Sequence, residues 1–277
     1  MTEGVEPLAL IEVTDVSRIF SRRGVDTRAL DSVSCQMTAG RDLGIVGESG
    51  SGKTTLARII MGLETATAGT VRVLGEDLTR PARRQRERLR RARLVQMVYQ
   101  DPYGSLDPRS TVRACLDEVL RLHPPADGAS RSDRISRLAD LVGLSATQLD
   151  RTPRELSGGQ CQRVAIARAL AVEPRIIVLD EAVAALDISI QAQILNLLAD
   201  LRDELGTAYL LISHDLGVVR QLTDDVVVMH RGRIVESGST EQVLSNPRQA
   251  YTQRLKASIP SERWREPGVL ELLGAGD

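Results

Sequence analysis

Gly47-Glu48-Ser49-Gly50-Ser51-Gly52-Lys53-Thr54 fits the pattern GxxxxGK[ST] at every specified position. It lies between the short apolar run Leu43-Gly44-Ile45-Val46 and a helical stretch from Lys53 to Met61. A strand leading through a glycine-rich turn into a helix is the context this pattern requires. The glycines let consecutive backbone N–H groups turn inward, and the start of the helix adds partial positive charge, so the loop is built to cradle phosphate. Lys53 is expected to neutralise β- and γ-phosphate charge, while the hydroxyl of Thr54 can ligate Mg²⁺; Thr55 follows in the same nucleotide-binding turn. The bland alternative, a glycine turn capping a helix, does not account for the joint match of residues, spacing and context.

Further along, Ile176-Ile177-Val178-Leu179 reads as a buried strand that ends abruptly in Asp180-Glu181. Beside a phosphate loop, Asp180 can hold Mg²⁺ through water and Glu181 can polarise an attacking water. Strand patterns at Leu8 to Val13 and Ala29 to Met37 are separated by the turn-prone Ser21-Arg22-Arg23-Gly24-Val25-Asp26-Thr27. Further strands are expected at Val71 to Leu74, Leu94 to Tyr99, Tyr209 to Ser213 and Val226 to His230, with Arg231-Gly232 a tight turn before Ile234 to Glu236. Helical spacing dominates from about Val112 to Ala171, and another helix spans about Ile188 to Leu205. Strands alternating with helices imply an α/β core whose sheet is mostly parallel, carrying an inserted α-helical subdomain.

Composition sets outer limits. Lys plus Arg is 36 against 37 Asp plus Glu, a formal net charge of −1, which argues against bulk attraction to nucleic acid. No uncharged apolar run approaches the roughly 20 residues of a membrane-spanning helix, and the acidic N-terminus lacks a secretory pattern. Cys35, Cys115 and Cys161 are far apart and odd in number, consistent with reduced thiols and with no Cys-ligated zinc.

Leu156-Ser157-Gly158-Gly159-Gln160 opens the helical run that continues to Glu173, with Gln160 twenty positions ahead of Asp180. Ser157 is a good N-cap, and Gly158 and Gly159 leave the helix start open to an anion. With this motif the chain resembles the ATP-binding cassette (ABC) ATPases over about residues 8 to 245, leaving 246–277 as a C-terminal extension of importer type. The resemblance implies a P-loop NTPase core with an antiparallel β subdomain and a helical subdomain inserted at about residues 100–172, and it implies ATP and Mg²⁺ as substrate and cofactor. Gln100 then resembles the Q-loop glutamine that senses Mg²⁺ and the coupled partner, so that Thr54, Gln100 and Asp180 form the Mg²⁺ set. His214 resembles the switch histidine at the γ-phosphate, joining Glu181 and Gln100 as catalytic. Phe20 resembles the aromatic that stacks on adenine, with a simple core phenylalanine as the competing reading.

In this family two cassettes bind head to tail, so Ser157, Gly158, Gly159 and Gln160 would serve the partner's ATP. Asp187 matches the D-loop aspartate of that interface. The approach to it departs from the usual E-P-x-S-A-L-D, reading Glu181-Ala182-Val183-Ala184-Ala185-Leu186-Asp187, which puts D-loop rigidity in question. Gln100 to Arg109, Leu186 to Leu195 and Pro247 to Leu255 resemble oligopeptide, dipeptide and nickel importer ATPases. That resemblance implies uptake of peptides or metal chelates, a second ABC ATPase subunit, two permease subunits and an extracytoplasmic binding protein. The chain would then work peripherally on the cytoplasmic side of the inner membrane. Eight arginines between Arg80 and Arg93 form either a solvated helix face, a contact for anionic lipid, or a nucleic-acid patch. A soluble ABC ATPase acting on nucleic acid or ribosomes is the alternative to transport, and a P-loop kinase would leave the signature motif without purpose.

Overall fold

A computed structural model describes residues 8–258 apart from 23 and 126; the end of the 246–277 extension lies outside the described residues. In chain order the elements are β1 (Ala9–Arg22), β2 (Val25–Thr38), β3 (Leu43–Val46), α1 (Lys53–Ile60), β4 (Ala68–Val73), β5 (Glu76–Asp77), α2 (Gln85–Ala92), β6 (Val95–Val98), α3 (Pro102–Ser105), α4 (Val112–Leu122) and α5 (Arg131–Leu141). They continue with α6 (Ala146–Leu149), a 3-10 turn (Pro153–Glu155), α7 (Gly158–Leu170), β7 (Ile176–Asp180), α8 (Ile188–Leu205), β8 (Ala208–Ser213), α9 (Leu216–Leu222), β9 (Asp225–His230), β10 (Arg233–Ser239), α10 (Thr240–Ser245) and α11 (Ala250–Ala257). The chain divides into two units, one made of Met1–Pro81 with Leu211–Asp277 and the other of Ala82–Leu210.

The first unit contains an antiparallel sheet in the order β2-β1-β4-β5. Ile11, Val13 and Val16 of β1 and Leu30, Val33 and Met37 of β2 are buried, and strict alternation is broken where the register shifts after Val13 and again after Val16. The turn-prone segment is much shorter than its composition implies. β1 and β2 run on as a ladder through Phe20↔Thr27, Ser21↔Asp26 and Arg22↔Val25, and Ser21 Oγ donates to Asp26 at 2.6 Å. Cross-strand pairing there outweighs the turn propensity of single residues. The same unit carries β10-β9-β3, with β3 parallel to β9 (Leu43↔Asp225 to Val46↔Val228) and β9 antiparallel to β10. β3 is buried at every position, which explains its uninterrupted apolar reading. A Cβ on Gly44 would come within 2.9 Å of Val219, so the strand lies close against α9, a helix the sequence reading did not anticipate.

In the second unit β6 and β7 pair in parallel, Val95↔Ile176 to Val98↔Leu179. Parallel neighbours need a long crossover, and here it is the helical segment from α3 to α7. Its apolar faces are buried through Leu116 and Leu120 of α4, Leu138 of α5, and Val164, Ile166 and Ala167 of α7. The arginine helix is shorter than expected: α2 begins at Gln85, buries none of its residues, and includes the ion pair Arg91 to Glu87 at 2.6 Å. No helix among the described residues is long and apolar enough to cross a membrane.

Candidate functional site

The phosphate loop in the first unit is shaped by what its glycines exclude. Gly47 has φ 153°, and a Cβ there would lie 2.2 Å from the carbonyl oxygen of Met229. Gly52 sits in the left-handed region at φ 105° as the N-cap of α1, and its Cβ would meet the Ala29 carbonyl at 2.6 Å. The loop is therefore seated against the end of β9 and the strand β2, with no room for any other residue at either position. The Gly232 N–H donates to the Ser51 carbonyl at 2.9 Å, adding the β9–β10 turn to the same cradle.

Lys53, at the first position of α1, is buried. Its ammonium donates to the Gly47 carbonyl at 2.7 Å and to the Glu48 carbonyl at 2.8 Å, folding the loop over its own lysine. A buried cation with carbonyl partners at a helix N-terminus is an arrangement suited to polyphosphate. Thr54 is exposed and Thr55 half-buried on the next turn of backbone; Glu48, Ser49 and Gly50 line the open side, and Ser51 is buried.

His214, exposed, follows β8, and Asp215 after it caps α9 by accepting the N–H groups of Gly217 and Val218 at 2.8 and 3.4 Å. Phe20 is 37% exposed with the Arg18 guanidinium 4.4 Å from its ring centre. The simple core reading of Phe20 is thus set aside: its ring stands on the surface with a cation on one face.

The second unit assembles the remaining motifs around the start of α7. Ser157 is its N-cap, its Oγ accepting the Gln160 N–H at 3.3 Å while Gln160 Oε1 accepts the Ser157 N–H at 3.0 Å. This reciprocal capping box fixes two residues of the signature in one geometry. The D-loop packs on it: a Cβ on Gly159 would fall 2.5 Å from Ile190 Cγ2, and one on Gly158 3.5 Å from Leu186. Asp187 caps α8 through the Ile190 N–H at 3.0 Å and the Ser189 hydroxyl at 2.9 Å, and these hydrogen bonds, the Ile190 N–H foremost, hold its carboxyl below the ordinary value. Ala182 and Val183 are buried and the Ala184 N–H closes a turn on the Glu181 carbonyl at 3.0 Å.

Asp180 ends β7 half-buried, and Glu181 follows at φ 49°, a left-handed conformation that non-glycine residues adopt at a cost. Gln100 is exposed two residues beyond β6. The segment after it is latched to the signature, with the Tyr103 hydroxyl donating to the Leu156 carbonyl at 3.0 Å and Arg168 donating to the Ser105 carbonyl. Those two links escaped the sequence reading, which treated this stretch only as a mark of resemblance.

Among the described residues no three His, Cys, Asp or Glu side chains converge on a metal position. Thr54 in the first unit, and Gln100 and Asp180 in the second, each offer a hard oxygen, the donor type that Mg²⁺ takes. The cysteines are free, and desolvation raises all three thiols, Cys35 to about 12, which disfavours the reactive thiolate at neutral pH.

The family model described as "ABC transporter" matches residues 30–184. The oligopeptide transport ATP-binding protein OppF of Lactococcus lactis subsp. lactis (strain IL1403) is 44% identical over 245 residues, 88% of this chain and 76% of that protein. The dipeptide transport ATP-binding protein DppF of Escherichia coli (strain K12) is 44% identical over 233 residues, covering 84% and 69% respectively. Among solved structures, the dimeric post-hydrolysis state of the ATP-binding cassette MJ0796 bound to ADP and Pi superposes with a TM-score of 0.73 at 28% identity, over 83% of this chain and 98% of that one.

Proposed function

This chain belongs to the ABC transporter family, and from that premise we infer that it is the ATP-binding and ATP-hydrolysing subunit of an importer for peptides. The observation that carries the reading is the phosphate loop, where Lys53 is buried and held by the Gly47 and Glu48 carbonyls at the start of α1. The names of the similar proteins, oligopeptide and dipeptide transport ATP-binding proteins, favour peptide over nickel chelate as the cargo.

Within this proposal Gly47 to Thr55 bind the nucleotide phosphates, with Lys53 neutralising their charge. Phe20 offers its exposed ring to adenine. Thr54, Gln100 and Asp180 are the residues that would hold Mg²⁺, which would supply screening of the phosphate charge. Glu181 orients and polarises water for attack, and His214 contacts the γ-phosphate. Ser157 to Gln160 and Asp187 face a second cassette, as in the head-to-tail dimers of the family, and each chain's signature completes its partner's site. Two permeases and an extracytoplasmic binding protein complete the importer, which places this chain peripherally on the cytoplasmic side of the membrane. Reconstitution tests the proposal: ATP hydrolysis by the chain with its permeases in vesicles should rise on adding binding protein loaded with peptide. Stimulation by DNA or RNA in place of the loaded binding protein would instead favour the nucleic-acid alternative.

A further inference from the structure

We propose that Tyr251, on the C-terminal helix, is a positioning residue for the phosphate loop and sets the affinity of this cassette for ATP. The proposal rests on the ATPase reading and adds to it a residue outside every nucleotide motif.

α11 brings Tyr251 to the loop in a buried position, 7% exposed. Its hydroxyl oxygen accepts the Glu48 N–H at 3.0 Å. The peptide group that carries this N–H also carries the Gly47 carbonyl, and that carbonyl accepts the Lys53 ammonium at 2.7 Å. A peptide group is planar and rigid, so its two edges turn together. Tyr251 therefore grips one edge of the plane whose other edge holds the phosphate-binding lysine. The neighbouring Glu48 carbonyl adds the second acceptor for Lys53, at 2.8 Å. Rotation of the Gly47–Glu48 plane away from Tyr251 would move an acceptor from the ammonium, and glycine at position 47 offers little resistance to such rotation.

The tyrosine is itself held in place. Its ring lies on that of His230, with centroids 4.0 Å apart and planes inclined by 36°. His230 ends β9, next to the Met229 carbonyl against which Gly47 is seated. At the start of α11 the Glu236 carboxylate accepts the N–H groups of Arg248 and Gln249 at 2.7 and 3.2 Å, satisfying backbone donors before the first turn. Further on, Lys256 donates to the Ser245 carbonyl at 3.0 Å. A tyrosine that only filled space would need no such aim at a loop N–H. Here the hydroxyl is directed at the peptide that carries the shorter of the two Lys53 contacts.

The test compares the full-length wild type with Tyr251→Phe, which keeps the ring on His230 and deletes the hydroxyl. Leu255→Ala serves as a control, because it truncates a buried residue of the same helix and leaves the tyrosine hydroxyl in place. ATP affinity is measured by calorimetry in EDTA, KM and kcat in the reconstituted transporter, and thermal midpoints in parallel. Loss of one neutral hydrogen bond predicts a rise in Kd and KM of about threefold to tenfold for Tyr251→Phe. Its kcat should stay within about twofold, because the groups that act on water are untouched. Leu255→Ala should lower the thermal midpoint and leave Kd unchanged. Unchanged Kd and KM in Tyr251→Phe would overturn the proposal, as would an equal Kd shift in Leu255→Ala. A wild type that fails to bind ATP would instead remove the ATPase reading beneath it.

Discussion

Glu181 carries two separable properties, a carboxylate proposed to polarise water and a left-handed backbone at φ 49°. Replacing it by alanine and by glycine removes the carboxylate in both cases and leaves a single Cβ as the difference. The left-handed conformation costs a residue with a Cβ roughly 1–2 kcal/mol. The greater freedom of glycine in the unfolded chain returns about 0.4–1 kcal/mol of that. The balance favours Glu181→Gly over Glu181→Ala by about 0–1.6 kcal/mol, or a thermal midpoint higher by up to about 6 °C for a chain of this size. Both variants should retain ATP binding and lose at least ~10²-fold in turnover, since a positioned base is gone. Scanning calorimetry of the two variants and steady-state phosphate release with the transporter assembled measure both halves. An alanine variant more stable than the glycine variant would refute the strained backbone. Near-normal turnover in either would refute the role of the carboxylate.

The remaining expectations concern packing and charge. Gly159→Ala places a methyl 2.5 Å from Ile190 Cγ2, an overpacking that should cost about 1–3 kcal/mol in denaturant titrations, and Ile190→Ala in the same chain should recover part of it. Failure of that rescue would place the strain elsewhere than the contact between α7 and α8. Asp31 accepts hydrogen bonds from Arg233 and Arg28 at 2.6 and 2.8 Å, and the Arg233 hydrogen bond is the foremost cause holding its carboxyl below the ordinary value of 3.8. Because the folded pKa is depressed, this stabilisation is present above the unfolded pKa and is lost as pH falls through the folded one. Asp31→Asn should therefore be less stable than wild type at neutral pH, with the gap closing below about pH 3.8; a gap independent of pH would show that the pairing is not its source.

Much of the site was legible because its chemistry is written in short stretches of backbone. A phosphate loop, a capping box and a strand ending in acids each need neighbouring residues at fixed spacing, so Lys53, Ser157, Gln160 and Asp180 could be named without coordinates. The helix Ile188–Leu205 was read to its ends for the same reason, since Asp187 caps it at one end and Gly206 closes it in a left-handed turn at the other. The hairpin of β1 and β2 was not, because cross-strand pairing extended both strands into residues that favour turns in isolation.

The sequence by itself determined the nucleotide chemistry and the family resemblance, because both are carried by local pattern. Tertiary structure decided which residues hold those motifs in shape. Tyr251 meets Glu48 across 203 positions of chain, and Gly159 meets Ile190 only once two helices have packed. Such contacts depend on how buried faces come together, and no spacing rule along the chain encodes them.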